Sequence, residues 1–184
     1  MTAGSDIERR AIEPAAFSAS SGGRRLEGYA ARFGVVAAIG SFVERIGPGA
    51  FSTSLSGDVL ALMDHDPGKV LGRTRSKTLQ LEVDNMGLRF DLTLPDTQAG
   101  RDVAALAERG DLGGMSFGFR VKPGGESWEG NTRTLTSIEL LEISVVSSWP
   151  AYPDTSVALR SMQAHSDAMR RFRALRLAEA SQWA

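Results

Sequence analysis

The stretch TLQLEVDNMGLRFDLTL, residues 78–94, decides the class of fold. Leu79, Leu81 and Val83 occupy every second position, and beyond Asp84-Asn85-Met86-Gly87 the residues Leu88, Phe90 and Leu92 do the same. A two-residue period sends alternate side chains to opposite faces of an extended chain, so each run reads as a half-buried strand. Turn-forming residues between the runs join them into a hairpin. The same period recurs on either side. In GGMSFGFRVK (113–122), Met115, Phe117, Phe119 and Val121 share one face, and Ser116, Gly118 and Arg120 the other. LEGYAARF (26–33) and SFVERI (41–46) read as further strands, and TRTLTSIELLEISVVS (132–147) is long enough for two strands or one bent one. DVLALMDH (58–65) is an apolar run stopped by the turn signal DPG, which puts His65 at or just past a strand end. Twenty glycines, many beside these runs, suit strands and tight turns better than helices. The predicted class is mainly β.

Two internal helices are expected. DTQAGRDVAALAERG (96–110) has helical spacing at Val103, Leu106 and Ala107, with Gly110 placed to end it. PGAFSTSL (48–55) opens on a proline and spaces Phe51 and Leu55 four apart, which predicts a short helix. Residues 1–22 are polar and small and read as a flexible lead-in, with the fold starting near Arg24. Residues 23–160 form the folded domain, and PAYPD (150–154) breaks its last strand. From Ser161 to the end an amphipathic helix is predicted, with Met162, His165, Met169, Phe172 and Leu175 on its apolar row.

Composition narrows the chemistry. At 184 residues the chain suits one domain with its own core. With no cysteine there are no disulfides, thiolate metal sites or cysteine nucleophiles. Two histidines, His65 and His165, make a multi-imidazole metal site an unpromising reading, and no cofactor is expected. Twenty-one basic against 22 acidic residues give no general pull toward nucleic acid or anionic lipid. No run approaches the roughly 18 apolar residues of a membrane span, and MTAGSDIERR lacks the apolar core of a signal peptide.

Ser116 has Gly113 and Gly114 before it and Gly118 after it, which leaves room for a substrate backbone to approach. Glycine-rich backbone can also aim amides at a developing oxyanion. A serine hydroxyl needs a base poised near neutral pH, and His65 stands in MDHDP beside a turn. Plain structural readings compete with both. A serine among glycines is more often an ordinary strand residue, and a turn histidine more often a surface one. Spacing alone does not bring the two together, because such constellations occur in different chain orders on unrelated folds. An esterase of the G-x-S-x-G type is disfavoured, since the serine lacks that elbow.

Six strings in order, EGYAARFG (27–34), FVERIGPGAF (42–51), LMDHDPGKVLGRT (62–74), GLRFDLTLP (87–95), ERGDLGGMSFGF (108–119) and LLEISVVSSWPAYPDT (140–155), resemble the prohead proteases of tailed phages. That family is grouped with the herpesvirus assemblins in one serine-protease clan. The resemblance implies a compact β-barrel surrounded by helices, with the base on His65 and the nucleophile on Ser116. The herpesvirus relatives use a second histidine as third member, whereas the phage relatives look as if they use an acid, and Glu142 in LLEISVV is the residue chosen here. A carboxylate in so apolar a stretch is costly to bury unless paired, which an imidazolium would satisfy. Asp64 and Asp66 are rivals, but neighbours on a strand point to opposite faces, so adjacency to His65 counts against them. His165 falls beyond the resembling region and reads as packing.

The resemblance further implies a substrate, the scaffolding region of the major capsid protein, together with cleavage of the protease itself inside the procapsid in the host cytoplasm. A homo-oligomer is compatible with it. The competing class is a non-enzymatic capsid scaffold or a β-barrel that binds extended peptide by strand addition. Arg170, Arg171, Arg173 and Arg176 crowd the tail and read first as a solvated helix face, and second as a dock for an acidic scaffold segment or a region of self-cleavage.

Overall fold

The computed structural model describes residues 6–12, 18–19 and 24–147. The predicted tail helix, with His165 and the arginine cluster, lies outside these residues, as does PAYPD. Thirteen strands and one α-helix follow one another: β1 Glu8–Ile12, β2 Ser18–Ala19, β3 Arg25–Arg32, β4 Val36–Ile39, β5 Phe42–Ile46, β6 Leu60–Met63, β7 Asp66–Arg73, β8 Leu79–Val83, β9 Gly87–Thr93, α1 Gln98–Arg109, β10 Gly114–Val121, β11 Glu126–Glu129, β12 Thr132–Leu135 and β13 Ile138–Val146.

The predicted hairpin forms, with Leu79 opposite Leu92, Leu81 opposite Phe90 and Val83 opposite Leu88. Its turn is fixed by Asp84, whose Oδ1 accepts from the amides of Met86 (2.7 Å) and Gly87 (3.0 Å). Gly87 has no alternative there, because a Cβ would collide with the carbonyl of Ala31. Helix α1 begins where Thr97 Oγ1 accepts from the Gly100 amide (3.3 Å) and ends at Gly110 in the left-handed conformation, φ 72°.

The strands make three sheets, ordered β1-β10-β13-β6-β7, β11-β12-β5-β4 and β2-β3-β9-β8. The mainly β class holds, but the expected compact β-barrel surrounded by helices is not formed by the described residues: the sheets are not closed into a barrel, and α1 is the one α-helix among those residues. Closure requires continuous backbone pairing around the wall. Here the first sheet's edge β1 meets β5 and β12 through side chains instead. Arg10 forks onto Glu44 (2.5 and 2.9 Å), and Arg133 forks onto Glu8 (2.7 and 2.9 Å). Glu8 and Arg10 point inward because they pair opposite Phe119 and Phe117, whose rings belong to the core. Burial alone would raise the Glu8 carboxyl, but the hydrogen bond and charge of Arg133, with Arg10, hold it below the ordinary carboxylate range.

Further differences follow from local chemistry. Strands β1 and β2 lie within the segment read as a lead-in, and β11 lies within the polar run 123–131. The helix predicted at 48–55 is instead a chain of turns, with Ala50 N bonded to Gly47 O, Ser52 N to Gly49 O, Ser54 N to Phe51 O and Gly57 N to Ser54 O. All four are three-residue returns, tighter than α-helical bonds. Phe51 is still fully buried, so the apolar spacing marks a core face although the backbone is not helical. In β3 the strict alternation fails at a register shift between Tyr29 and Ala31, where Ala30 and Ala31 are both buried. The run 132–147 resolves into two strands, β12 and β13.

Candidate active site

The central strand β13 carries the site. It pairs antiparallel with β10 on one side and parallel with β6 on the other, and β10 pairs in turn with β1. Paired residues share a face of the sheet, so two rows can be read across four strands. One runs Ala11, Ser116, Ser144, Leu62; the other runs Arg9, Gly118, Glu142, Leu60. Just beyond Glu142 the register slips by one residue, Gly118 facing Glu142 while Phe119 faces Leu140. That bulge lets Glu142 and Ser144 stand on the Ser116 face while Leu140, Ile143 and Val145 stay in the core.

His65 arrives from the end of β6. Asp64 and His65 both take left-handed backbone angles, φ 51° and 59°, which is uncommon for non-glycine residues and persists only when surroundings enforce it. The enforcement is visible. Asp64 N donates to Val145 O (2.9 Å), Asp64 carboxylate oxygens accept from Ser147 N (2.8 Å) and Ser147 Oγ (2.7 Å), and His65 N donates to Ser144 Oγ (3.2 Å). The turn aims the imidazole back over β13, where His65 Nδ1 lies 2.7 Å from Glu142 Oε1. With Glu142 ionised, Nδ1 carries the proton and donates, which leaves the Nε2 lone pair as the basic one.

Glu142 is 8% exposed, and each of its oxygens is engaged. Oε2 accepts from Ser144 Oγ (2.7 Å), while Oε1 faces His65 and, at 3.8 Å, Arg9 Nε. The carboxylate rests over Gly118, whose missing side chain makes the space: a Cβ there would collide with Oε1. The two rival acids are used elsewhere, Asp64 on Ser147 and Asp66 on Gly68 N (2.8 Å) and Lys69 (3.6 Å).

Ser116 is 1% exposed and stands on the face that carries Glu142, with Ser144 opposite it on β13. Two strand spacings, about 10 Å, separate its backbone from the β6 row that leads into His65. The structure thus joins His65 to Glu142 directly and sets Ser116 on the same face. The serine's strand is paired on both edges, by β1 over residues 115–119 and by β13 over 114–121, and just before it Gly113 N donates to Val146 O (2.8 Å).

The model of one protein family, described as caudovirus prohead serine protease, matches residues 5–169. The chain belongs to that family. Among solved structures, the prohead protease fold seen here resembles the bacteriophage T4 capsid assembly protease, gp21, with a TM-score of 0.51 at 10% identity over 76% of this chain and 95% of that one. At that identity the likeness concerns the fold. No curated protein sequence matches this chain.

Three residues of this prohead protease site were not singled out in the sequence for what they do here: Ser144, Gly118 as the seat of the carboxylate, and Arg9. For Ser144 a signal existed. E-x-S in a strand puts both side chains on one face, where a hydroxyl can hold a buried carboxylate. Arg9 offered none, because the strand that brings it was itself not recognised.

Proposed function

We propose that this chain is a serine endopeptidase that cleaves the scaffolding region of the major capsid protein, and itself, through an acyl-enzyme formed on Ser116. The observation that supports it best is the 2.7 Å contact between His65 Nδ1 and Glu142 Oε1 on the sheet face that carries Ser116. In the proposed reaction His65 Nε2 takes the Ser116 proton as Oγ attacks the scissile carbonyl, and the imidazolium is stabilised by Glu142. The proton then passes to the leaving amine as the C–N bond breaks. Water, deprotonated by the same nitrogen, releases the acid product and restores the serine. The steps use side chains alone and call for no cofactor. The working place in this reading is the procapsid interior in the host cytoplasm, and trimming of the protease's own ends belongs to the same activity.

The test is co-expression with the cognate major capsid protein, with intact mass as the readout, alongside labelling by a serine-directed fluorophosphonate and mapping of the labelled peptide. Shortening of the capsid protein with the label on Ser116 supports the reading. Assembled particles with full-length capsid protein and no label would favour a scaffold that has kept a protease fold.

Gly118→Ala is expected to displace Glu142 and with it the imidazole. Misplacement by about 1 Å lowers turnover about a hundredfold, while overpacking of the site lowers stability by about 1–3 kcal/mol. Rates on a cut-site peptide and a thermal melt, run together, separate the two effects. Unchanged turnover would mean the carboxylate does not need that position.

A further inference from the structure

We propose that Arg9, brought by the amino-terminal strand β1, is a positioning residue that braces Glu142 and shares with the His65 imidazole the carboxylate oxygen that orients it; this rests on the catalytic reading above. Arg9 pairs opposite Gly118, and Gly118 opposite Glu142, so arginine and glutamate occupy one row with a glycine between them. Across that gap Arg9 Nε reaches to 3.8 Å from Oε1, the oxygen that also takes His65 Nδ1. The Arg9 side chain is half exposed, 50%, while that of Glu142 is largely buried, so the arginine lies along the rim of the site.

A cation sharing that oxygen disfavours a second positive charge on the imidazole, and a general base must be unprotonated to act. The other charged groups nearby are already matched. Asp64 is held by Ser147, Asp66 by Gly68 N and Lys69, and Arg120 faces Glu139 (3.5 Å) further along the same sheet. Among the described residues Arg9 is the cation other than the imidazole within 4 Å of Glu142. Its strand is held independently, by Glu8 and Arg10 in the buried network, so removing the Arg9 side chain leaves β1 its own anchors.

The chain has two histidines, which makes the test direct. Ring resonances of the full chain are titrated in the Ser116→Ala background to prevent self-cleavage, and His165→Gln assigns the pair. Arg9→Ala is expected to move the His65 midpoint upward, since the cation that shares Oε1 is gone. The acid limb of kcat/KM in the active enzyme should move the same way, and Arg9→Lys should restore most of both. If Arg9→Ala lowers activity without moving the midpoint, Arg9 merely supports its strand and the inference fails. It fails equally if neither changes. A midpoint that moves in a protein that never cuts capsid protein or takes the phosphonate would sink the protease reading and leave the Arg9–His65 coupling standing.

Discussion

Ser116→Ala is expected to lower kcat/KM on the capsid cut site by about 10⁴- to 10⁶-fold and to leave the fold intact. The serine sits inside the first sheet on β10, buried between Ala11 and Ser144, and alanine fits the same space without the hydroxyl. His65 needs more care, because its backbone is left-handed and alanine is poorly suited to φ 59°. Asparagine tolerates that conformation and has no imidazole, so His65→Asn removes the base while sparing the turn. Its effect should match that of Ser116→Ala, and the double variant should be no worse than either, since members of one proton-transfer unit fail together. Initial rates with a fluorogenic cut-site peptide, with melting temperatures as the folding control, decide the matter. A Ser116→Ala protein that keeps more than about one hundredth of wild-type turnover would remove Ser116 from the mechanism.

How much of this was legible depended on whether residues faced the way their polarity suggests. The hairpin at 78–94 is legible in its strands, its turn and its two alternating rows, because each strand alternates cleanly, and Asp84 then fixes the turn. Strand β1 was not legible. In ERRAI the charged Glu8 and Arg10 face the core, an inversion that makes sense only once Glu44 and Arg133, far away in the chain, are seen to receive them. Strand β11 hid in a polar run whose one large apolar residue, Trp128, packs on Phe42 with ring centroids 5.1 Å apart. At 48–57 the four-residue apolar spacing is shared by a helix and by successive turns, and nothing in the pattern alone separates them.

The site divides the same way. The preference for Glu142 over its two aspartate rivals came from the family resemblance and from the rule that strand neighbours point apart, and the structure gives Asp64 and Asp66 other partners. What the sequence left hidden is how that carboxylate is kept in place. The bulge opposite Gly118, the Ser144 hydroxyl and the strand carrying Arg9 all depend on pairings among strands distant in sequence, which no local period encodes.

Arg133→Met should be the most damaging single change to stability. The Arg133 side chain is 1% exposed and binds Glu8, Glu44 and Glu126, the last at 2.6 Å through Nε. Burial alone would lower its pKa, but the hydrogen bond and charge of Glu8, followed by Glu44 and Glu126, raise it, so the guanidinium is charged throughout. Without it, Glu8 and Glu44 share Arg10 alone in a site with little water, and breaking a buried ionic group on one side costs about 3–5 kcal/mol. For a chain of this size that is a fall of roughly 10 °C or more in Tm. The pH dependence carries the signature. In the wild type the Glu8 carboxyl is depressed, so its contribution is complete above the unfolded value of about 4.3 and is lost as pH falls through the folded one. In Arg133→Met the same buried carboxyl loses its main partner and shifts upward, so the variant binds a proton on folding and is penalised most at neutral pH. The gap between the two proteins should therefore narrow as pH drops below about 5. Replacing the whole net-neutral quartet, Glu8→Leu, Arg10→Met, Glu44→Leu and Arg133→Met, should recover most of the loss, because apolar groups of similar volume need no partners. Melts of the three proteins at pH 4.5 and 7.5 are sufficient, and a gap that stays constant with pH would show that lost packing, not the stranded carboxylates, is what the single variant suffers from.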